Sequence, residues 1–204
     1  MDLSKLQNGS DIRGVAVEGV EGEKVNLTPD IARQIGCAYV SWLEKKSGNL
    51  ACSLKIGVGR DSRVSGPALA DALIEGMVSA GATVVDCGMA TTPAMFMSIV
   101  FEETYYDGAA MITASHLPFN RNGIKFFDPE GGLEHDDITE ILNLASLLNP
   151  AKVSGNVQTF DLLSVYADYL KNKISQALGG AEKPLAGLHI VVDSGNGASG
   201  FFVD

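Results

Sequence analysis

Two hydrophobic rhythms take turns along this chain. Thr28-Pro29-Asp30 carries a capping hydroxyl, a first-turn proline and an acid near a helix's positive end. Ile31, Ile35, Ala38 and Leu43 then recur at helical spacing until Ser47-Gly48-Asn49. Leu54 to Val58 reads as a short apolar strand. Ser65 is placed to cap a second helix with Leu69, Leu73, Ile74 and Met77 on one side, closed by Gly81. Thr83 to Asp86 reads as another strand, Thr92-Pro93 opens a helix through about Glu102, and Ala109 to Thr113 reads as a third strand. Helix and strand in this order predict an α/β fold, a mixed and largely parallel sheet sandwiched between helices.

The rhythm then changes. Ile124 to Asp128 reads as an antiparallel strand, Asp136 to Leu148 as a helix, Val153 to Phe160 as a polar link and Asp161 to Leu178 as an amphipathic helix. Gly179-Gly180 and Pro184 mark a boundary. Leu188 to Val192 has the composition of a buried strand and leads into a glycine-rich turn. Gly195, Gly197 and Gly200 in that turn fit the spacing of a dinucleotide fingerprint. That fingerprint needs a following helix and an acid about twenty residues on, and the sequence stops at Asp204. The expected units are residues 1–155, a helical linker over 156–183, and the start of an incomplete second domain over 184–204. A strand without its sheet would expose apolar surface, so the chain reads as a piece of a longer protein.

Chemistry concentrates between the third strand and the antiparallel one. Thr113-Ala114-Ser115-His116 runs into a Pro/Asn/Gly loop and returns through Asn122-Gly123-Ile124-Lys125. One hydroxyl, one imidazole and one ammonium group (Ser115, His116, Lys125) therefore lie on or beside a single loop. A base that takes the hydroxyl proton and a cation that offsets transferred charge are what a phosphoryl-carrying serine needs. The same residues could instead satisfy the backbone of a plain strand–turn–strand.

The segment resembles the active-site serine loop of the α-D-phosphohexomutases, the phosphoglucomutase/phosphomannomutase superfamily, whose pattern is Thr-Ala-Ser-His-Asn-Pro followed by Asn-Gly-Ile-Lys. The match falls on Thr113, Ala114, Ser115, His116, Pro118, Asn122, Gly123, Ile124 and Lys125, and departs at Leu117, where the family has Asn. Three further segments resemble the family's in order: Ser10-Asp11-Ile12-Arg13-Gly14, Gly59-Arg60-Asp61-Ser62-Arg63-Val64-Ser65-Gly66, and Gly88-Met89-Ala90-Thr91-Thr92-Pro93. The resemblance spans the chain but only the first of the family's four domains and the opening of the second.

What it implies is transfer of phosphate between C1 and C6 of a hexose, with Ser115 as the phosphoryl carrier and a hexose 1,6-bisphosphate as intermediate and activator. His116 and Lys125 would assist proton transfer or charge stabilisation, and Arg13 and Arg60 would face the phosphoserine. The alternative for those arginines is a salt bridge with Asp11 or Asp61 that pins the loop. Mg²⁺ would bind a phosphoserine oxygen and an Asp-Gly-Asp-Gly-Asp loop, which this sequence lacks. Asp136-Asp137 reads as a helix cap rather than a metal site. The 204-residue chain alone is thus expected to be inactive, its missing C-terminal domains being the partners it needs. The competing class is a non-catalytic, phosphorylatable binding module.

Composition narrows the remaining classes. With 46% hydrophobic and 20% charged residues the chain can build a core. A formal charge of −10 argues against nucleic acid as a partner, though not against a small phosphorylated substrate. Cys37, Cys52 and Cys87 are odd in number and widely spaced, and read as buried small hydrophobes of a reducing compartment. No secretory leader or membrane-length apolar run is evident, which leaves a cytoplasmic protein as the expectation. Arg121 is expected to be solvated, His135 and His189 to be structural, and Trp42, Tyr39, Tyr105 and Tyr106 to be packing residues.

Overall fold

The computed structural model describes residues 2–151, 156–180 and 182–193. Its strands are β1 (Gln7–Asn8), β2 (Asp11–Val15), β3 (Lys55–Arg60), β4 (Thr83–Met89), β5 (Gly108–Ile112), β6 (Arg121–Asp128), β7 (Gly131–Gly132) and β8 (Val157–Thr159). Its helices are α1 (Pro29–Ser47), α2 (Gly66–Ser79), α3 (Thr92–Met97), α4 (His135–Leu147) and α5 (Leu162–Ala177). Among the described residues these strands form one mixed sheet in the order β1-β2-β6-β5-β3-β4-β8, with β7 beside β6. Its β5-β3-β4-β8 half is parallel and its β1-β2-β6-β5 half antiparallel.

Two cores flank the sheet. Ile12, Ile56, Val58, Ala110, Ile112, Ile124 and Phe126 face α1, α2 and α4; Val85, Cys87, Ala109, Met111 and Phe127 face α3 and the start of α5. The helix α1 begins as its sequence demands, the Thr28 hydroxyl accepting from the Ile31 amide at 3.3 Å, and ends at Gly48 in the left-handed region. It packs on α2 so closely that a Cβ on Gly36 would run into the Leu73 carbonyl, and one on Gly76 into the Arg33 carbonyl. Tyr39 of α1 is buried against the sheet, stacked on Phe126 at 4.2 Å, its hydroxyl donating to the Phe127 carbonyl at 2.7 Å. Trp42 and Tyr106 are core residues as expected, whereas Tyr105 is exposed with φ +43°.

Several elements differ from the sequence reading. Ser65 occupies the N-cap position of α2 but makes no capping bond; its hydroxyl accepts instead from the buried Asn122 amide at 2.9 Å. The helix α3 stops at Met97 rather than near Glu102. The Ser98 carbonyl takes bonds from the Thr104 hydroxyl and the Tyr106 amide, so the chain turns there into β5. Val157–Thr159 is a parallel edge strand on β4, not a link, and Leu162 at the start of α5 is fully buried beneath it. Three exposed residues carry no alternation to betray a strand whose pairing is supplied by the tertiary neighbour.

Leu188–Val192 forms no strand: these residues are mostly exposed, and no described strand takes up their backbone groups. The glycine turn at 195–200 lies outside the described residues. Cys87 is buried, Cys37 half-buried and Cys52 exposed, so the expectation of three buried thiols holds for Cys87 alone. No described helix is long and apolar enough to cross a membrane.

Candidate active site

From β3 the chain passes through α2 on one face to β4, then through α3 on the other face to β5 on the opposite side of β3. The carboxyl ends of β3 and β5 therefore diverge at a point where the winding reverses, the place where α/β sheets hold ligands. Ile112 ends β5 and the serine loop, residues 113–120, begins there.

Ser115 stands exposed at this end with φ +55°, one of two non-glycine residues among those described with positive φ. A serine in that region stores about 1–3 kcal/mol of backbone strain, which its surroundings must offset. They do so from both sides. Its amide donates to the Thr113 hydroxyl at 3.0 Å, and its carbonyl accepts from Arg63 Nη2 at 2.8 Å. Its own Oγ lies 3.2 Å from His116 Nδ1, the geometry of a proton-exchanging pair.

The cations divide between the two faces of the sheet. Lys125 pairs in register with Met111, and Asp11 and Arg13 alternate with Ile12 along β2 beside it. Lys125, Asp11 and Arg13 thus occupy one face, the Asp11 carboxylate bridging the Lys125 ammonium and, at 2.9 Å, Arg13 Nη2. Gly123 sits opposite Arg13, and a side chain there would press on the arginine's Cγ and on two carbonyls. Arg60 falls in the row of Ile112 and Ile124, on the α2 face, where its Nη1 reaches the Asp61 carbonyl at 3.4 Å. Arg13 therefore makes the salt bridge weighed as its alternative role. For Arg60 that bridge is absent, because Asp61 pairs with Arg63.

Arg63 is the residue that sequence reasoning passed over. Its Nη1 donates to the Pro118 and Arg121 carbonyls at 2.8 and 3.0 Å, and its Nη2 to the Ser115 and Leu117 carbonyls at 2.8 and 2.7 Å. Asp61 orients it, accepting from the Arg63 amide at 3.0 Å and pairing with Nε at 3.4 Å, while the Asp61 amide donates to the Ile112 carbonyl. The signal was present in Arg60-Asp61-Ser62-Arg63, but which arginine would reach the loop depends on the strand's face.

A second clasp holds the far end of the loop. Glu23 accepts from the Asn120 amide at 2.7 Å and from Arg121 Nη2 at 2.5 Å, and the Asn120 carbonyl takes the Ala16 and Val17 amides. Arg121 is accordingly paired, not free in solvent. These bonds from Asn120 and then Arg121 hold the Glu23 carboxyl below the ordinary glutamate range. Between the two clasps lies a cavity of about 370 Å³, lined by Lys5, Arg13, Glu23, Leu117 and Arg121 among others.

The family model described as phosphoglucomutase/phosphomannomutase, alpha/beta/alpha domain I, matches residues 4–146. The chain belongs to this family. It is 36% identical over 203 residues to a phosphoglucomutase/phosphomannomutase of Thermococcus kodakarensis, covering 96% of this chain and 41% of that protein. It is 35% identical over 198 residues to a phosphoglucosamine mutase of Lactobacillus delbrueckii subsp. bulgaricus, covering 91% and 41%. A solved family protein of Burkholderia thailandensis superposes with a TM-score of 0.68 at 28% identity, over 85% of this chain and 37% of that one. The chain thus spans about two-fifths of the length of the curated relatives it matches.

A metal centre does not fit the residues described. No group of three or more His, Cys, Asp or Glu side chains among them could hold an ion. The acids nearest the serine are spent on cations: Asp11 on Lys125 and Arg13, Asp61 on Arg63, Glu23 on Arg121. Asp137 accepts the Glu134 amide at 2.9 Å in a capping box, and Asp136 pairs with His135. The expected Mg²⁺ would need carboxylates these residues do not supply.

Proposed function

We propose that this chain is the phosphoserine-bearing domain of a phosphohexomutase, with Ser115 as the carrier. In the resting enzyme Ser115 Oγ is esterified. A free hydroxyl of the hexose monophosphate attacks that phosphorus as the Oγ–P bond breaks, its proton leaving to a base and Oγ regaining one. The hexose 1,6-bisphosphate so formed turns over, and its other phosphoryl group returns to Ser115, giving net transfer between C1 and C6. Atoms balance without a further reactant.

His116 Nδ1, in reach of Oγ, carries the proton to and from the serine. Lys125 and Arg13 offset the charge of the transferring group on the face they share, and Arg60 adds positive potential at the end of β3. Mg²⁺ belongs to the family expectation and enters none of these steps. The names of the relatives favour a hexose phosphate as substrate class, and we assign sugar selection to parts of the protein outside this chain. We infer that the 204-residue chain accepts phosphate on Ser115 but does not turn over a hexose phosphate by itself.

The observation that carries the reading is the strained Ser115 presented beside His116 at the switch point. Intact-mass analysis of the protein from its own cells tests it. A single phosphate that maps to Ser115 is expected, and a protein without phosphate in any preparation contradicts the proposal.

A further inference from the structure

Arg63 does more than fill a loop. The Thr113 hydroxyl fixes the peptide plane before Ser115 by taking its N–H, and Arg63 fixes the plane after it by donating to its carbonyl. With both planes held, φ and ψ of Ser115 are set, and the position of Oγ depends on a single side-chain rotation. The plane that Arg63 holds also carries the His116 amide, so the same bond sets where the imidazole stands relative to Oγ. Three more carbonyls, of Leu117, Pro118 and Arg121, converge on the same guanidinium. The Arg63 side chain is about seven-eighths buried, at 12% exposure, and is oriented by Asp61, whose amide is bonded to the last residue of β5.

We propose that Arg63 is a positioning residue for phosphoryl transfer, the frame that holds Ser115 Oγ and His116 in mutual register on a strained backbone. The assignment rests on Ser115 being the carrier, and it adds that the carrier's geometry is imposed from the β3 end of the sheet. Only a guanidinium can serve. Its planar fork offers parallel donors to several carbonyls at once, whereas an ammonium of equal charge is a point that can satisfy few of them in that geometry. Arg63 touches neither Oγ nor the imidazole and is not a catalytic residue.

The test uses the 204-residue chain as wild type, Arg63→Lys and Arg63→Ala, each first checked for folding by circular dichroism and by amide exchange in α1 and α2. Two quantities are then followed: amide exchange over residues 114–121, and uptake of phosphate on Ser115 from glucose 1,6-bisphosphate. Both variants are expected to exchange faster in the loop alone. Both are expected to lose about 100-fold in uptake rate, the scale of a misplaced reacting group. Millimolar guanidinium is expected to restore part of the Arg63→Ala loss and none of the Arg63→Lys loss. Unchanged loop exchange in both variants overturns the proposal, whatever happens to uptake. So does wild-type uptake in Arg63→Lys. If wild type itself takes up no phosphate, the carrier reading fails; the proposal, which rests on that reading, then fails with it, and loop exchange decides only whether Arg63 braces the loop.

Discussion

Asp11 faces Lys125 across the β2–β6 ladder and shares its carboxylate with Arg13, so one acid holds two cations on one face of the sheet. The three side chains are partly exposed, Lys125 at 30%, Arg13 at 25% and Asp11 at 13%, so the pairing lies between surface and buried ion pairs in strength. Replacing Asp11 by Asn should lower stability by about 1–2 kcal/mol, as a urea midpoint shift will show. It should also shift Ser115 toward its phosphorylated form. On the proposed role of Ser115, the bridging acid would repel its phosphate, and removing that acid would leave Lys125 and Arg13 free to grip it. Slower dephosphorylation of Asp11→Asn, measured by loss of label from Ser115, is the expected outcome.

The α1–α2 contact sets a sign. Alanine at position 76 gains about 1 kcal/mol of helix propensity over glycine. Its Cβ, however, would collide with the Arg33 carbonyl, a backbone atom that cannot turn aside. Overpacking of this kind costs about 1–3 kcal/mol and sometimes more. Gly76→Ala should therefore be net destabilising by up to about 2 kcal/mol, lowering Tm by as much as roughly 8 °C. An unchanged or raised Tm would mean the two helices lie farther apart.

Glu23 predicts a pH response with a definite direction. Its folded-state carboxyl titrates below the ordinary glutamate range, so its clasp on Asn120 and Arg121 contributes stability that is fully present above that range. The contribution is lost as pH falls through the depressed folded value. Wild type should then exceed Glu23→Gln in stability at neutral pH, and the two should converge in acid. Denaturation midpoints across pH will show whether the gap closes.

The thiols should separate by reactivity. Cys87 is buried beneath Tyr106 and its thiol is pushed up to about 12, by desolvation first and the nearby Asp86 second. Cys52 is exposed. At pH 8 iodoacetamide should label Cys52 readily and leave Cys87 untouched until the protein unfolds, as peptide mapping will report.

Much of this was legible because it is local. Thr28-Pro29 and Gly48 bound α1 by chemistry contained in those residues, and the apolar residues of β3 and β5 announce strands. The loop with Ser115 and His116 is adjacent in sequence, so its resemblance to a serine loop needed no fold. What escaped depends on tertiary neighbours. Ser65 has a capping side chain, but Asn122, 57 residues away, claims its hydroxyl. Arg60 and Arg63 cannot be told apart by type; the face on which each emerges from β3 and its following turn decides which one meets the loop. Val157–Thr159 becomes a strand only because β4 offers an edge.

On the proposal that this chain only carries the phosphate, the isolated chain, which spans about two-fifths of the length of its relatives, should show no mutase turnover. Glucose 1-phosphate with Mg²⁺ and glucose 1,6-bisphosphate should yield no glucose 6-phosphate above background; steady multiple turnover would refute the division of labour proposed for the chain.

The most direct test of the central claim is to incubate the chain with labelled glucose 1,6-bisphosphate and map the label. One phosphate per chain is expected, located on Ser115 and abolished in Ser115→Ala, with the variant folded by circular dichroism. Label that persists in Ser115→Ala, or that maps to another residue, contradicts it.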